Sequence, residues 1–121
     1  MSITNESLLP TTTYGIPSGN YDGTSTFFIG TPIPAANYYN GQGSAQTAIV
    51  QTTNFVGEIT IQGTLNDRTQ EALWFDIANY GNVSAATTDT DAINMVGNFV
   101  WIRARVSGFT SGIINSANLV F

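Results

Sequence analysis

The sequence predicts an all-β protein built as an antiparallel β-sandwich. Three observations carry this. Several short runs alternate apolar and polar residues with a period of two. Glycine-bearing turn sequences separate those runs at regular intervals. No window sustains a 3.6-residue apolar period over three turns, so a helical core is excluded.

The first 46 residues are crowded with Pro, Gly, Tyr, Asn and Ser, as in "LLPTTTYGIPSGNYDG" and "IGTPIPAANYYNGQG". Pro10, Pro17, Pro32 and Pro34 all fall here, and each forbids a helix interior or a central strand. Only "STFFIG" reads as a strand. The remainder predicts an extended segment, too aromatic for a flexible linker and therefore ordered by packing on something. From residue 47 the pattern becomes strand and turn. "TAIVQTT" is a short apolar strand. "VGEITIQGTL" directs Ile59, Ile61 and Leu65 to one side and Glu58, Thr60, Gln62 and Thr64 to the other. Gly63 interrupts the inward series and marks a bulge or a close backbone approach. "DRTQEAL" suits one helical turn capped by Asp67. "ALWFDIANY" and "VGNFVWIRARV" are the third and fourth strands, "GFTSG" is a turn, and "IINSANLVF" is the fifth.

Composition narrows the function. Of 121 residues only 9% are charged, against a usual share of about 25%. Hydroxyls and amides supply the polarity, and such neutral groups desolvate more cheaply than ions when a surface is covered by another protein. The net charge of −5, with no lysine, leaves nothing to displace phosphate counterions, so nucleic acid is excluded as a partner and an anionic membrane is disfavoured. With no cysteine there is no disulfide framework. No apolar run is long enough to span a bilayer, and "MSITNESLLP" lacks the basic and apolar regions of a signal peptide.

The inventory also argues against catalysis. Without His, Cys or Lys, the usual nucleophile–base pairs, imidazole metal sites and Schiff bases are excluded. Asp67 and Glu71, or Asp89 and Asp91, are paired carboxylates of the kind a glycosidase needs across a cleft, but they read as solvated loop acids. "DTDAIN" offers oxygens to calcium yet lacks the glycine and distal glutamate of an EF-hand loop. "YNGQG" is a turn, with Asn40-Gly41 suited to positive φ, and no helix follows it to cradle phosphate. The expectation is a protein with no catalytic residues, no metal and no cofactor. A different class, a glycan-binding module that stacks sugars on Tyr38, Tyr39 or Trp74, is the alternative; Trp74 reads better as core.

The strand motifs "GEITIQGTL" (57–65), "WFDI" (74–77), "GNFVWIRARV" (97–106) and "FTSGIINSANLVF" (109–121), with "NYYNGQG" upstream, resemble a pattern of small β-sandwich virion proteins of tailed, T4-like marine or cyanobacterial phages. The likeness covers residues 27–121, leaving residues 1–26 as an extended N-terminal arm that contributes contacts rather than core. It implies a jelly-roll or Greek-key sandwich and a non-enzymatic structural subunit. Such a subunit is made in the host cytoplasm and assembled in multiple copies on the bacteriophage particle, as a capsid decoration or a neck or tail accessory. Its partners would be other virion proteins and copies of itself.

"NFVWIRARVSGF" raises the sharpest question. It holds two of the three basic residues of the chain. In a strand, Phe99, Trp101, Arg103 and Arg105 share one face, and Val100, Ile102, Ala104 and Val106 the other. Glu58 and Asp76 are the candidate cross-strand ion-pair partners of the arginines. Otherwise Phe99, Trp101, Arg103 and Arg105, with Tyr38 and Tyr39, form an interface, since Trp and Arg are enriched at binding hot spots. Two adjacent aromatics left in water would invite aggregation, so cover by the chain's own residues 10–45 or by a neighbouring subunit is expected, with Trp101 largely buried.

Overall fold

The computed structural model describes residues 5–34, 44–65, 73–97 and 99–120. Every element in it is a strand: β1 (Asn5–Leu9), β2 (Thr12–Thr13), β3 (Phe28–Ile29), β4 (Ile33–Pro34), β5 (Ser44–Thr64), β6 (Phe75–Gly97) and β7 (Trp101–Val120). They form one antiparallel seven-stranded sheet in the order β1-β7-β5-β6, with β2, β3 and β4 following β1 along the same edge of β7.

This single sheet folds over on itself. A straight strand of 21 residues, the length of β5, would span roughly 70 Å. Yet Gly97 pairs with Ser44 at one end of β5 and Trp101 pairs with Thr64 at the other. Residues 98–100 bridge at most about 15 Å between them. The ends of β5 must therefore lie close, and the strand must double back. It does so where all three long strands break register together. β5 shifts between Thr52, Phe55 and Gly57, with Asn54 at a φ of 51°. On β6, residues 83–86 fall between the ladder pairs Phe55↔Thr87 and Gly57↔Asn82. On β7 the bend lies at Gly108 and Gly112, with φ of 61° and 91°. At Gly112 no side chain fits, because a Cβ there would run into the Asn54 carbonyl.

The folded halves enclose one core. Ala48 and Val50 come from the first half of β5, Ile59 and Ile61 from the second, and Ile102, Ala104, Val106, Ile114, Ala117 and Leu119 from β7. Phe109 sits in the bend, with ring centroids 5.2 Å from Tyr21, 5.6 Å from Phe55 and 6.2 Å from Phe28. The halves meet closely at Gly30, where a Cβ would stand 2.7 Å from the Leu8 carbonyl and 2.8 Å from Leu9 Cδ2.

Several expectations are corrected. "GFTSG" does not reverse the chain; it is the bend within continuous β7, whose residues stay paired with β5 on both sides. "TAIVQTT" and "VGEITIQGTL" are the two arms of one strand. The run "TTDTDAIN" is not a loop, and Asp89 and Asp91 lie within β6. Leu65 is 56% exposed, because β5 ends one residue before it. The N-terminal residues expected to stay outside the core enter it: β1 pairs with residues 117–120 of β7, and Leu8 and Leu9 are buried. Pro10, Pro17 and Pro32 fall between the short pieces of that edge, and Pro34 lies within β4, a place open to proline because the strand is at a margin. Between β2 and β3 a loop over the bend buries Tyr21, whose hydroxyl accepts the Gly15 N–H at 2.9 Å. Asp22 holds the same loop by accepting the N–H groups of Thr24 at 2.8 Å and Ser25 at 2.7 Å.

Candidate functional site

The outward face of the β5–β7 half answers what the arginine stretch meets. Trp101 stands opposite Thr64, Arg103 opposite Gln62 and Arg105 opposite Thr60. Asp76 lies opposite Gln62 on the other side, and Asn79 opposite Thr60. β5 is central here, so its outward polar residues are flanked by long side chains and become buried. Thr60, Gln62 and Thr64 are all enclosed, although alternation places them on the side away from Ile59 and Ile61.

Gln62 is the centre of the arrangement. Its Nε2 donates to Asp76 Oδ1 at 2.7 Å, and its Oε1 accepts Arg103 Nε at 2.8 Å. Thr60 Oγ1 donates to Asn79 Oδ1 at 2.9 Å. The Arg103 guanidinium lies 4.1 Å above the Trp74 ring, so one face of that indole is covered by a cation. Burial, and then the neighbouring charge of Arg105, pull the Arg103 guanidinium below its ordinary range. An arginine stays charged under such a shift, so the site keeps its positive charge.

Arg105 makes the ion pair expected with Asp76, Nη2 to Oδ2, at 3.6 Å. The side chains are 31% and 57% exposed, so the pair contributes about 0–1 kcal/mol. Arg105 Nε is enclosed without a hydrogen bond among the described residues. Glu58, the other candidate partner, stands opposite Ser107 and Gly81 and enters no ion pair among the described residues.

The aromatics divide. Phe99 precedes β7, so strand parity does not extend to it. Its ring packs toward the core beside Ile77, over Gly63, where an added Cβ would meet Phe99 Cδ1 at 2.7 Å. That close approach accounts for the glycine. Trp101 keeps the arginine face and is half-buried rather than enclosed. Ile33 and Pro34 pair along the edge at Ile102 and Trp101 and do not cover the face. At the same end of the sheet Leu65, Leu73 and Phe75 are 56%, 72% and 48% exposed, and Phe75, opposite Gly63, shares the face of Ile102 rather than that of Trp101. Tyr38, Tyr39, Asp67 and Glu71 lie outside the described residues. Among the described residues no cluster of three or more acidic, His or Cys side chains is placed to hold a metal ion.

Period-two reasoning missed the role of Gln62, and it read Trp74 as core, whereas that residue is half-buried with Arg103 over one face of its ring. The available signal was an amide side chain in register between a candidate acid and a candidate base. No family model, no curated protein and no solved structure matches this chain.

Proposed function

We propose that the chain is a non-enzymatic structural subunit of a phage virion, assembling in multiple copies as a head decoration or a neck or tail accessory. The observation that carries the assembly reading is the apolar end of the sheet. Leu65, Leu73 and Phe75 are exposed at the end of the sheet where Trp101, on the opposite face, is half-buried. Exposed apolar side chains of this size at one end of a sheet mark an interaction surface. The arginines on the opposite face are engaged within their own sheet and tie β7 to β5 and β6 at that end. The virion part of the reading rests on the strand motifs of residues 57–65, 74–77, 97–106 and 109–121.

The test uses particles purified from an infected culture, with the chain counted against the major shell protein. A fixed stoichiometry supports the reading. A Leu73→Asp/Phe75→Asp chain should fold with an unchanged far-ultraviolet spectrum and lose its place on the particle. Undiminished occupancy by that variant would overturn the role of this surface. Saturable sugar binding by a chain missing from particles would favour an adsorption module instead.

A further inference from the structure

The two margins of the sheet differ. One is the proline-broken series β1–β4. The other is β6, 23 residues long, without proline and without lysine or arginine. Among the described residues β6 pairs with β5 alone, and a strand with one neighbour is a template for another because every second N–H and C=O is left unpaired.

On this margin two carboxylates stand in unusual positions. Asp89 pairs with Thr52 and Asp91 with Val50, so both share the direction of side chains buried in the core. Two and four residues further on, Ile93 and Met95 take the same direction and pack against that core. The aspartates remain exposed because they lie at the margin. Each also turns Oδ1 onto the next backbone N–H, of Thr90 at 2.7 Å and of Ala92 at 2.9 Å. Those two groups are two residues apart and belong to one row. Further back along β6, Asn82 Oδ1 accepts the N–H two residues on, that of Ser84, at 2.7 Å.

From this we infer that Asp89 and Asp91 close the β6 margin against a second copy of this chain. Antiparallel pairing of β6 with its own counterpart about Thr90 would set Asp89 opposite Asp91 of the other copy, twice over. Like charges directly opposite one another destabilise such a pair, and a covering strand would strip water from all four carboxylates. The backbone donors that an incoming strand would need at Thr90 and Ala92 are already engaged. The inference is independent of the virion reading and concerns only how this chain avoids pairing with itself.

Two variants test it by sedimentation velocity. Asp89→Thr/Asp91→Thr removes charge and caps and should self-associate, with a dissociation constant about tenfold below wild type. Asp89→Lys/Asp91→Lys should stay apart alone, for the same like-charge reason. Mixed with wild type it should give a species of twice the 12.9 kDa chain mass, since each Asp then faces a Lys. Both associations should protect residues 84–95 from hydrogen exchange. An unchanged mass for the neutral variant and for the mixture, or association without protection there, would overturn the inference.

Discussion

Replacing Arg103 by alanine tests whether the arginine face is held together from within. The structure gives the size of the effect. Arg103 Nε donates at 2.8 Å to Oε1 of Gln62, a residue only 5% exposed, and removing the donor leaves that oxygen enclosed without it. A hydrogen bond to a charged group contributes about 1.5–3 kcal/mol. The guanidinium over Trp74 adds about 0.5–1 kcal/mol, the range for a partly exposed cation–π contact. Arg103→Ala should therefore cost roughly 2–4 kcal/mol, while Arg105→Ala, which breaks an exposed ion pair, should cost about 0–1 kcal/mol. Urea unfolding followed by tryptophan fluorescence and far-ultraviolet circular dichroism measures both. A cycle pairing Arg103→Ala with Gln62→Ala should show coupling on the order of 1–3 kcal/mol. Arg103→Lys keeps the charge but not the planar fork, and should recover only part of the loss. Equal costs at 103 and 105, or a coupling near zero, would refute the central role of Gln62.

Phe109→Ala should cost about 3–5 kcal/mol by equilibrium unfolding, because the ring fills the bend between the two halves. Gly112→Ala should be recovered mainly as insoluble protein, and a soluble variant of wild-type thermal midpoint would contradict the geometry of the bend. Asp22 carries a carboxyl held well below the ordinary aspartate range, first by the Thr24 N–H and then by the Ser25 N–H. A depressed folded value means that its contribution is complete above the unfolded value, near 3.8, and fades as pH falls toward the folded one. The thermal midpoint of Asp22→Ala should thus lie below wild type at neutral pH and converge with it in strong acid. Deleting residues 5–13 removes Leu8 and Leu9 from the core and should abolish cooperative unfolding; a truncated chain with an unchanged midpoint would show that β1 and β2 contribute contacts only.

Much of this architecture was legible because period two survives in long strands. Ile59 and Ile61 inward, Ala104 and Val106 inward, and Arg105 within reach of Asp76 all follow from alternation and register. Gly63 was readable as a close approach, and Phe99 is what approaches it. The bend was not legible, since Gly108 and Gly112 are equally suited to a chain reversal. Only the coincident bulges of β5 and the gap in β6 make the site a corner, and these depend on partners distant in sequence. The burial of Thr60, Gln62 and Thr64 was not legible for a related reason. Outward means exposed on a strand at a margin, whereas on a central strand between Arg103 and Asp76 it does not. Asp89 and Asp91 looked like loop acids because charge in a Thr- and Ala-rich run is an ordinary loop signature. Their positions opposite Thr52 and Val50 are visible only once β6 is laid on β5.

β7 is paired with five other strands, four of which precede everything else in the chain. During synthesis the segment from residue 5 to residue 34 therefore emerges with no ladder to join. At about 5–20 residues per second it waits about 3–13 s before residue 101 is added. Through that interval Leu8, Leu9 and Phe28 have no native cover. The prolines that blunt this edge in the finished sheet act earlier as well, by denying the waiting segment a regular strand with which a neighbouring nascent chain could pair.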